Sequence, residues 1–184
     1  MTFIDWIFVA VSLVWIGEFV FFRNRSAGAS DPLEKRSFFL IFTALAGTIG
    51  LAMLLQELQG AGFAEWMKGT GALFFAAGVF LRMWGIVHLK NQFTRYVTVR
   101  EGDQIVSTGP YRRLRHPLYT GLFFITLGMA LYFTSIIAAV VGGAAVAWAL
   151  VKRMDYEEAL LVEKFGEDYT QWMKQRARLI PYLY

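Results

Sequence analysis

Three stretches of the chain stay apolar for the length of a membrane crossing: Phe3 to Phe22, Phe38 to Leu55, and Thr70 to Leu89. A helix that crosses a hydrocarbon core of about 30 Å needs roughly 20 mostly apolar residues, so each stretch predicts one span. A fourth apolar region, Leu118 to Val151, is too long for one crossing and is interrupted at Thr134 and Ser135. It predicts a helical hairpin with legs of about 24 Å each. Legs that short imply tilt, local thinning or shielding by neighbouring helices. The fold class so predicted is all-α and integral to the membrane, with about five transmembrane helices. Residues 1–184 are expected to form a single membrane-embedded domain, without internal repeats.

Composition agrees: 57% of the residues are hydrophobic and 17% charged, where a soluble domain carries about 25% charged residues. The N-terminal "MTFIDWIFVAVSLVWIGEFVFF" lacks a basic leader region and a small-residue cleavage site, so it is expected to be retained as a helix. There is no cysteine, which excludes disulfides, thiol catalysis and thiolate metal sites.

The distribution of basic residues orients the helices. All of the eighteen Lys and Arg residues except Lys68 and Arg82 fall in the connection after the first helix, between Lys90 and Arg115, or from Lys152 onward. The positive-inside rule assigns those segments to the cytoplasm and the N-terminus to the outside. The net charge of +4 then reflects orientation and lipid headgroups, and no nucleic-acid partner is expected.

Charges inside spans are costly and need a reason. Asp5 and Glu18 lie near the ends of the first helix, where headgroups and water are expected to reach them. Arg82, past the middle of the third, is expected to pair with a buried acid or to face a polar cavity. The connection Lys90 to Pro117 predicts a short extended run at Tyr96 to Val99, with turns at Glu101-Gly102-Asp103 and at Gly109-Pro110. A membrane-side loop of that length is uncommon unless it has a function. Its end, "GPYRRLRHPLYTG", crowds arginines, tyrosines and a histidine at the mouth of the hairpin. Arg112 and Arg113 read as contacts to lipid phosphate, and Pro117 as the first turn of a helix. The far leg continues past the membrane and carries Arg153 and Glu157 four residues apart on one face, opposite the "RHP" turn. Gly142-Gly143-Ala144-Ala145 reads as a helix-packing face.

Other chemistries lack their signatures. Gly60-Ala61-Gly62 and Gly69-Thr70-Gly71 follow no predicted strand, so no dinucleotide fingerprint is present. Two separated histidines suggest no metal centre, and there is no nucleophile elbow.

The ordered set "LRMWGIVHLKNQFTRYVTV", "IVSTGPYRRLRHPLYTG", an apolar hairpin, "DYEEALLVEKFGEDYTQW" and "RLIP" resembles the isoprenylcysteine carboxyl methyltransferase family, including its short prokaryotic members. The resemblance covers roughly Leu81 to Pro181. It implies a membrane enzyme that moves a methyl group from S-adenosyl-L-methionine to the carboxylate of a lipidated cysteine, in a prokaryotic inner membrane. It also implies that Gln104, Ile105, Val106, Tyr111, His116, Pro117, Leu118, Tyr119 and Glu157 bind the cofactor, and that Arg153 binds the substrate carboxylate. Eukaryotic members have a histidine where Asp103 stands, and many prokaryotic ones have Gly-Arg in place of Lys90-Asn91.

The residue types suit that chemistry. A sulfonium and a carboxylate lose their charges together in an in-line displacement, which favours an ordered, dry site. The acceptor is already ionised and needs no general base, while an arginine fork grips its two oxygens. Three rivals remain open: phospholipid N-methylation, with Glu158 as the catalytic proton acceptor; a membrane reductase using NADPH; and a scaffold whose basic loops bind anionic lipid.

Overall fold

The computed structural model describes residues 1–22, 32–56, 64–94 and 102–180. Among them the chain forms six helices: α1 (Phe3–Phe21), α2 (Pro32–Leu55), α3 (Ala64–Leu89), α4 (Pro117–Tyr132), α5 (Ile136–Phe165) and α6 (Glu167–Lys174). Short 3₁₀ turns stand at Lys90–Gln92 and Gly109–Arg112, and the β-pairing present is one isolated bridge between Leu114 and Ala177. The all-α class is therefore correct. The extended run expected at Tyr96 to Val99 lies outside the described residues.

Four helices are long and apolar enough to cross a membrane, α1, α2, α3 and α5. The first turns of α2 and α3 precede the apolar stretches that predicted them, because hydropathy marks only the lipid-embedded part of a helix. The hairpin breaks where Thr134 and Ser135 interrupt the apolar run. Thr134 takes φ +59°, and the reversal is closed by bonds from the backbone N–H of Phe133 to Met129 O and of Ser135 to Ala130 O, each 3.0 Å. Ser135 then caps α5 by accepting from the Ala138 N–H.

The short leg α4 has 16 residues and is shielded by its neighbours. Its Pro117, Thr120, Gly121, Ile125, Thr126, Gly128 and Ala130 are buried. In lipid no hydrophobic force draws helices together, so close packing of small residues does that work. A Cβ on Gly71 of α3 would lie 2.3 Å from the Tyr132 backbone nitrogen, and one on Gly78 would lie 2.5 Å from Gly121 O. From the other side, a Cβ on Gly128 would come within 2.4 Å of the Phe75 nitrogen. The α3 and α4 backbones thus touch along a glycine seam. Helices α2 and α5 meet in the same way, with Gly142 against the buried Thr48, as the small-residue run suggested.

Helix α1 packs mainly on α3 and is fastened near both ends by polar contacts. The Tyr132 hydroxyl donates to Asp5 Oδ1 at 2.7 Å, with Phe8 stacked on the Tyr132 ring. Further along, Arg82 of α3 forms a two-bond ion pair with Glu18, Nε to Oε2 at 2.9 Å and Nη2 to Oε1. This corrects the expected setting of Glu18. The residue is 1% exposed rather than bathed by headgroups, because one helical face points it inward at the arginine.

Candidate active site

The connection into α4 builds one wall of a cavity. Gly109 has φ +56°, and a Cβ there would stand 2.5 Å from the His88 ring, so only glycine fits this turn. The 3₁₀ turn that follows buries Tyr111 and leaves Arg112 and Arg113 exposed. Burial, with Glu157 nearby, pushes the Tyr111 phenol well above its ordinary range, so it remains a neutral donor. His116 precedes Pro117, which blocks a helical conformation before it, and so His116 becomes the N-cap of α4. It is 4% exposed, and its ring stacks on Tyr119 at 5.5 Å.

The opposite wall is the extension of α5. Arg153 is 4% exposed. Its Nε donates to the Tyr119 hydroxyl at 3.0 Å and its Nη1 to Ser37 Oγ of α2 at 2.9 Å. The same Tyr119 hydroxyl donates to Glu157 Oε2 at 2.6 Å. One phenol thus stands between the cation and the carboxylate that the sequence set four residues apart, and holds both. Charge-assisted bonds of this kind are roughly twice as strong as neutral ones.

Glu158, the next residue, turns the other way. It takes His116 Nε2 at 2.9 Å, Arg115 Nη1 at 3.2 Å and Arg178 Nη2 at 3.1 Å. Three cationic or cation-capable groups thus converge on one carboxylate, which ties the "RHP" turn to α5.

A strap beyond α6 closes this end of the bundle. The Arg115 N–H donates to Ala177 O at 2.8 Å, and the Ala177 N–H to Arg113 O at 3.0 Å. Arg176 donates from Nε to Tyr111 O at 2.8 Å while its guanidinium lies 4.5 Å above the Trp172 ring. The Thr120 hydroxyl donates to Leu179 O at 2.6 Å. Trp172 stacks on Tyr169 and bonds Ser107 Oγ through its indole N–H. Burial, with Glu157 and Glu158 near, raises the Tyr169 phenol as well.

These elements line a partly open cavity of about 570 Å³, within the usual size range of small-molecule sites. At its polar end stand Asp103, Gln104, Ile105, Val106, Tyr111, His116, Tyr119, Arg153 and Glu157, roofed by Tyr169 and Trp172. Its other end is apolar, lined by Trp15 and Phe19 of α1 and by Phe38, Phe39, Phe42 and Leu45 of α2. Of the residues singled out from the sequence, Gln104, Ile105, Val106, Tyr111, His116, Leu118, Tyr119, Arg153 and Glu157 line the cavity. Pro117 is fully buried in the first turn of α4, and Glu158 lies behind the wall. Sequence reasoning missed Ser37, Arg115, Tyr169, Trp172, Arg176 and Arg178. The only available signal was the amphipathic pattern of α6, which sets Tyr169 and Trp172 three residues apart.

A bundle of lipid-facing helices with a largely apolar cavity whose charged groups include Arg153 and Glu157 defines an integral membrane protein with a built small-molecule site. The same fold occurs in a solved structure titled as the eukaryotic intramembrane Ras methyltransferase ICMT, with a TM-score of 0.68 and 21% identity over 77% of this chain and 52% of that one. The chain therefore spans about half the length of that protein. The model of the isoprenylcysteine carboxyl methyltransferase family matches residues 71–163. The chain belongs to this family, and is a membrane methyltransferase. Among its relatives are a probable protein-S-isoprenylcysteine O-methyltransferase of Oryza sativa subsp. indica, 25% identical over 97% of this chain and 96% of the relative, and the protein-S-isoprenylcysteine O-methyltransferase of Mus musculus, 29% identical over 64% of this chain and 42% of the relative.

Proposed function

We propose that the chain transfers a methyl group from S-adenosyl-L-methionine to the carboxylate of an isoprenylcysteine-like, lipophilic acceptor. The observation that carries this reading is the continuity of one cavity from the Arg153–Tyr119–Glu157 triplet to the aromatic chamber between α1 and α2. A hydrophilic reagent from water and an apolar one from lipid then meet in one continuous, partly open space.

The residues present fit the cofactor by their chemistry. Glu157 keeps 29% of its side chain exposed and offers carboxylate oxygens to an ammonium or to ribose hydroxyls. Gln104, Ile105 and Val106 supply an edge of backbone and side chains, and Tyr169 and Trp172 give flat surfaces for a purine. When bound, S-adenosyl-L-methionine supplies an electrophilic methyl group on a sulfonium.

The chain's own residues do the rest. Arg153, fixed by Tyr119 and Ser37, would hold and orient the acceptor carboxylate. No proton needs to move, because the acceptor reacts as its anion. His116, Pro117 and Leu118 keep the turn rigid, with Glu158 acting as its tie rather than as a base. The apolar chamber receives the lipid chain and excludes water, which strengthens every charge interaction inside. Amine methylation is less well supported, since Glu158, the group assigned to take that proton, is already bound by Arg115, His116 and Arg178. The proposed topology has the polar end of the cavity in the cytoplasm of a prokaryotic cell and the N-terminus outside, supported by the basic residues gathered at that end.

Calorimetric titration of the purified protein in detergent with S-adenosylhomocysteine tests the cofactor, with micromolar binding expected and its loss in Glu157→Ala. Tight NADPH binding with no S-adenosylhomocysteine binding would overturn the reading. Radiolabelled methyl groups incorporated into membranes distinguish the product: an ester releases methanol in alkali, whereas an N-methyl group does not.

A further inference from the structure

Helix α1 lies outside the region matched by the family model, and Glu18 is its one fully buried residue. The Glu18 side chain is 0% exposed and the Arg82 side chain 13% exposed, so the pair sits in the protein rather than in lipid or water. Arg82 does more than neutralise Glu18. Its Nη1 donates to Leu118 O at 3.3 Å, one residue before the tyrosine that holds Arg153 and Glu157. A Cβ on Gly121 would lie 2.6 Å from Arg82 Cγ, so the α4 backbone is hollowed to let the arginine stem pass. Arg82 also lines the cavity, as do Trp15 and Phe19 on the same helix as Glu18.

We propose that the Glu18–Arg82 pair is a positioning device for the acceptor half of the site. It pins α1 so that Trp15 and Phe19 wall the apolar chamber, and it couples that wall to the α4 turn beside Tyr119. Arg82 is locked on three sides, by both Glu18 oxygens and by Leu118 O, so it acts through what it holds and not as an anion receptor. Helix α1 is also held by the Asp5–Tyr132 bond and by ring contacts of Phe8 and Trp15 with Phe75, and the buried charged clasp is the fastening that ties it to the α4 turn. Loosening the clasp therefore widens the chamber and blurs its preference for one chain length, while the Glu157 end stays formed. The inference rests on the methyl-transfer reading above.

The test compares the wild type with three variants. Glu18→Gln leaves a buried arginine without its counter-charge and risks misfolding. Glu18→Gln/Arg82→Met removes both charges together and keeps volume, and Glu18→Arg/Arg82→Glu restores a pair in reverse. Affinity for S-adenosylhomocysteine is measured first, then methyl transfer to N-acetylcysteine thioethers carrying geranyl, farnesyl or geranylgeranyl chains. The double-neutral variant is expected to lose less than about threefold in S-adenosylhomocysteine affinity, because Arg115 and His116 still tie the turn to Glu158, to raise the acceptor KM by about tenfold, and to flatten the preference among the three chains. The reversed pair is expected to recover most of that preference. Unchanged acceptor KM and selectivity in the double-neutral variant would overturn the proposal. So would an equal loss of S-adenosylhomocysteine affinity, which would make the pair a support for the whole site. A wild type that binds no S-adenosylhomocysteine would instead refute the methyl-transfer reading itself.

Discussion

Replacing Tyr119 by phenylalanine removes one oxygen and nothing else from the centre of the site. That oxygen accepts from Arg153 Nε at 3.0 Å and donates to Glu157 Oε2 at 2.6 Å, so two charged groups lose a partner. The losses are unequal. The Glu157 side chain is 29% exposed, and water replaces the lost donor at small cost. Arg153 is 4% exposed, and its Nε–H is left buried without an acceptor. A hydrogen bond to a charged group contributes about 2 kcal/mol, and most of this falls on the arginine. At about 1.4 kcal/mol per factor of ten, acceptor kcat/KM is expected to drop by about thirtyfold. S-adenosylhomocysteine affinity is expected to fall by less than about threefold, because the Glu157 carboxylate remains in place and hydrated. Initial rates over a range of acceptor concentrations, beside calorimetry on the same preparation, measure both. A thirtyfold loss of cofactor affinity with unchanged acceptor kinetics would refute the assignment of Arg153 to the acceptor. No loss in either would show that the phenol does not hold the triplet together.

Two further outcomes follow from the packing and from the tie behind the wall. Gly78→Ala drives a methyl group into the Gly121 carbonyl at 2.5 Å, whereas a Cβ on Gly47 meets nothing within 4 Å. Thermal unfolding in detergent should show the first destabilised by about 1–3 kcal/mol and the second unaffected. Glu158→Gln weakens three charge-assisted contacts that hold the turn, so S-adenosylhomocysteine affinity should fall by about tenfold. The pH profile of kcat should stay as in the wild type, and an altered acidic limb would return Glu158 to the role of a base.

Much of this was legible in the sequence because hydropathy and spacing carry it. The break at Thr134 and Ser135 lies where an apolar run is too long for one crossing, and the Arg153–Glu157 face follows from helical periodicity alone. The setting of Glu18 was not legible: position along a helix gives its depth, but not whether the side chain points to lipid or to Arg82, which lies 64 residues later. Arg82 itself was expected to find an acid, but its sequence neighbours could not name which. The strap was hidden for another reason. Arg113, Arg115 and Ala177 bond through backbone atoms, and backbone partners leave no trace in residue type. Ser37 escaped notice because a lone serine before an apolar helix reads as an ordinary boundary, and only the arrival of Arg153 from α5 gives it a task.

The glycine seam between α3 and α4 also governs how such a sequence can diverge. At Gly71, Gly78 and Gly128 the neighbouring backbone occupies the place of a side chain, so mutational drift there is closed off. Leu73, Phe80 and Val87, on the same helix as two of those glycines, are well exposed and need only stay soluble in lipid. Exposed positions such as these can therefore exchange one apolar residue for another, provided a few hydrogens keep the two helices at the same distance, and with them the walls of the cavity.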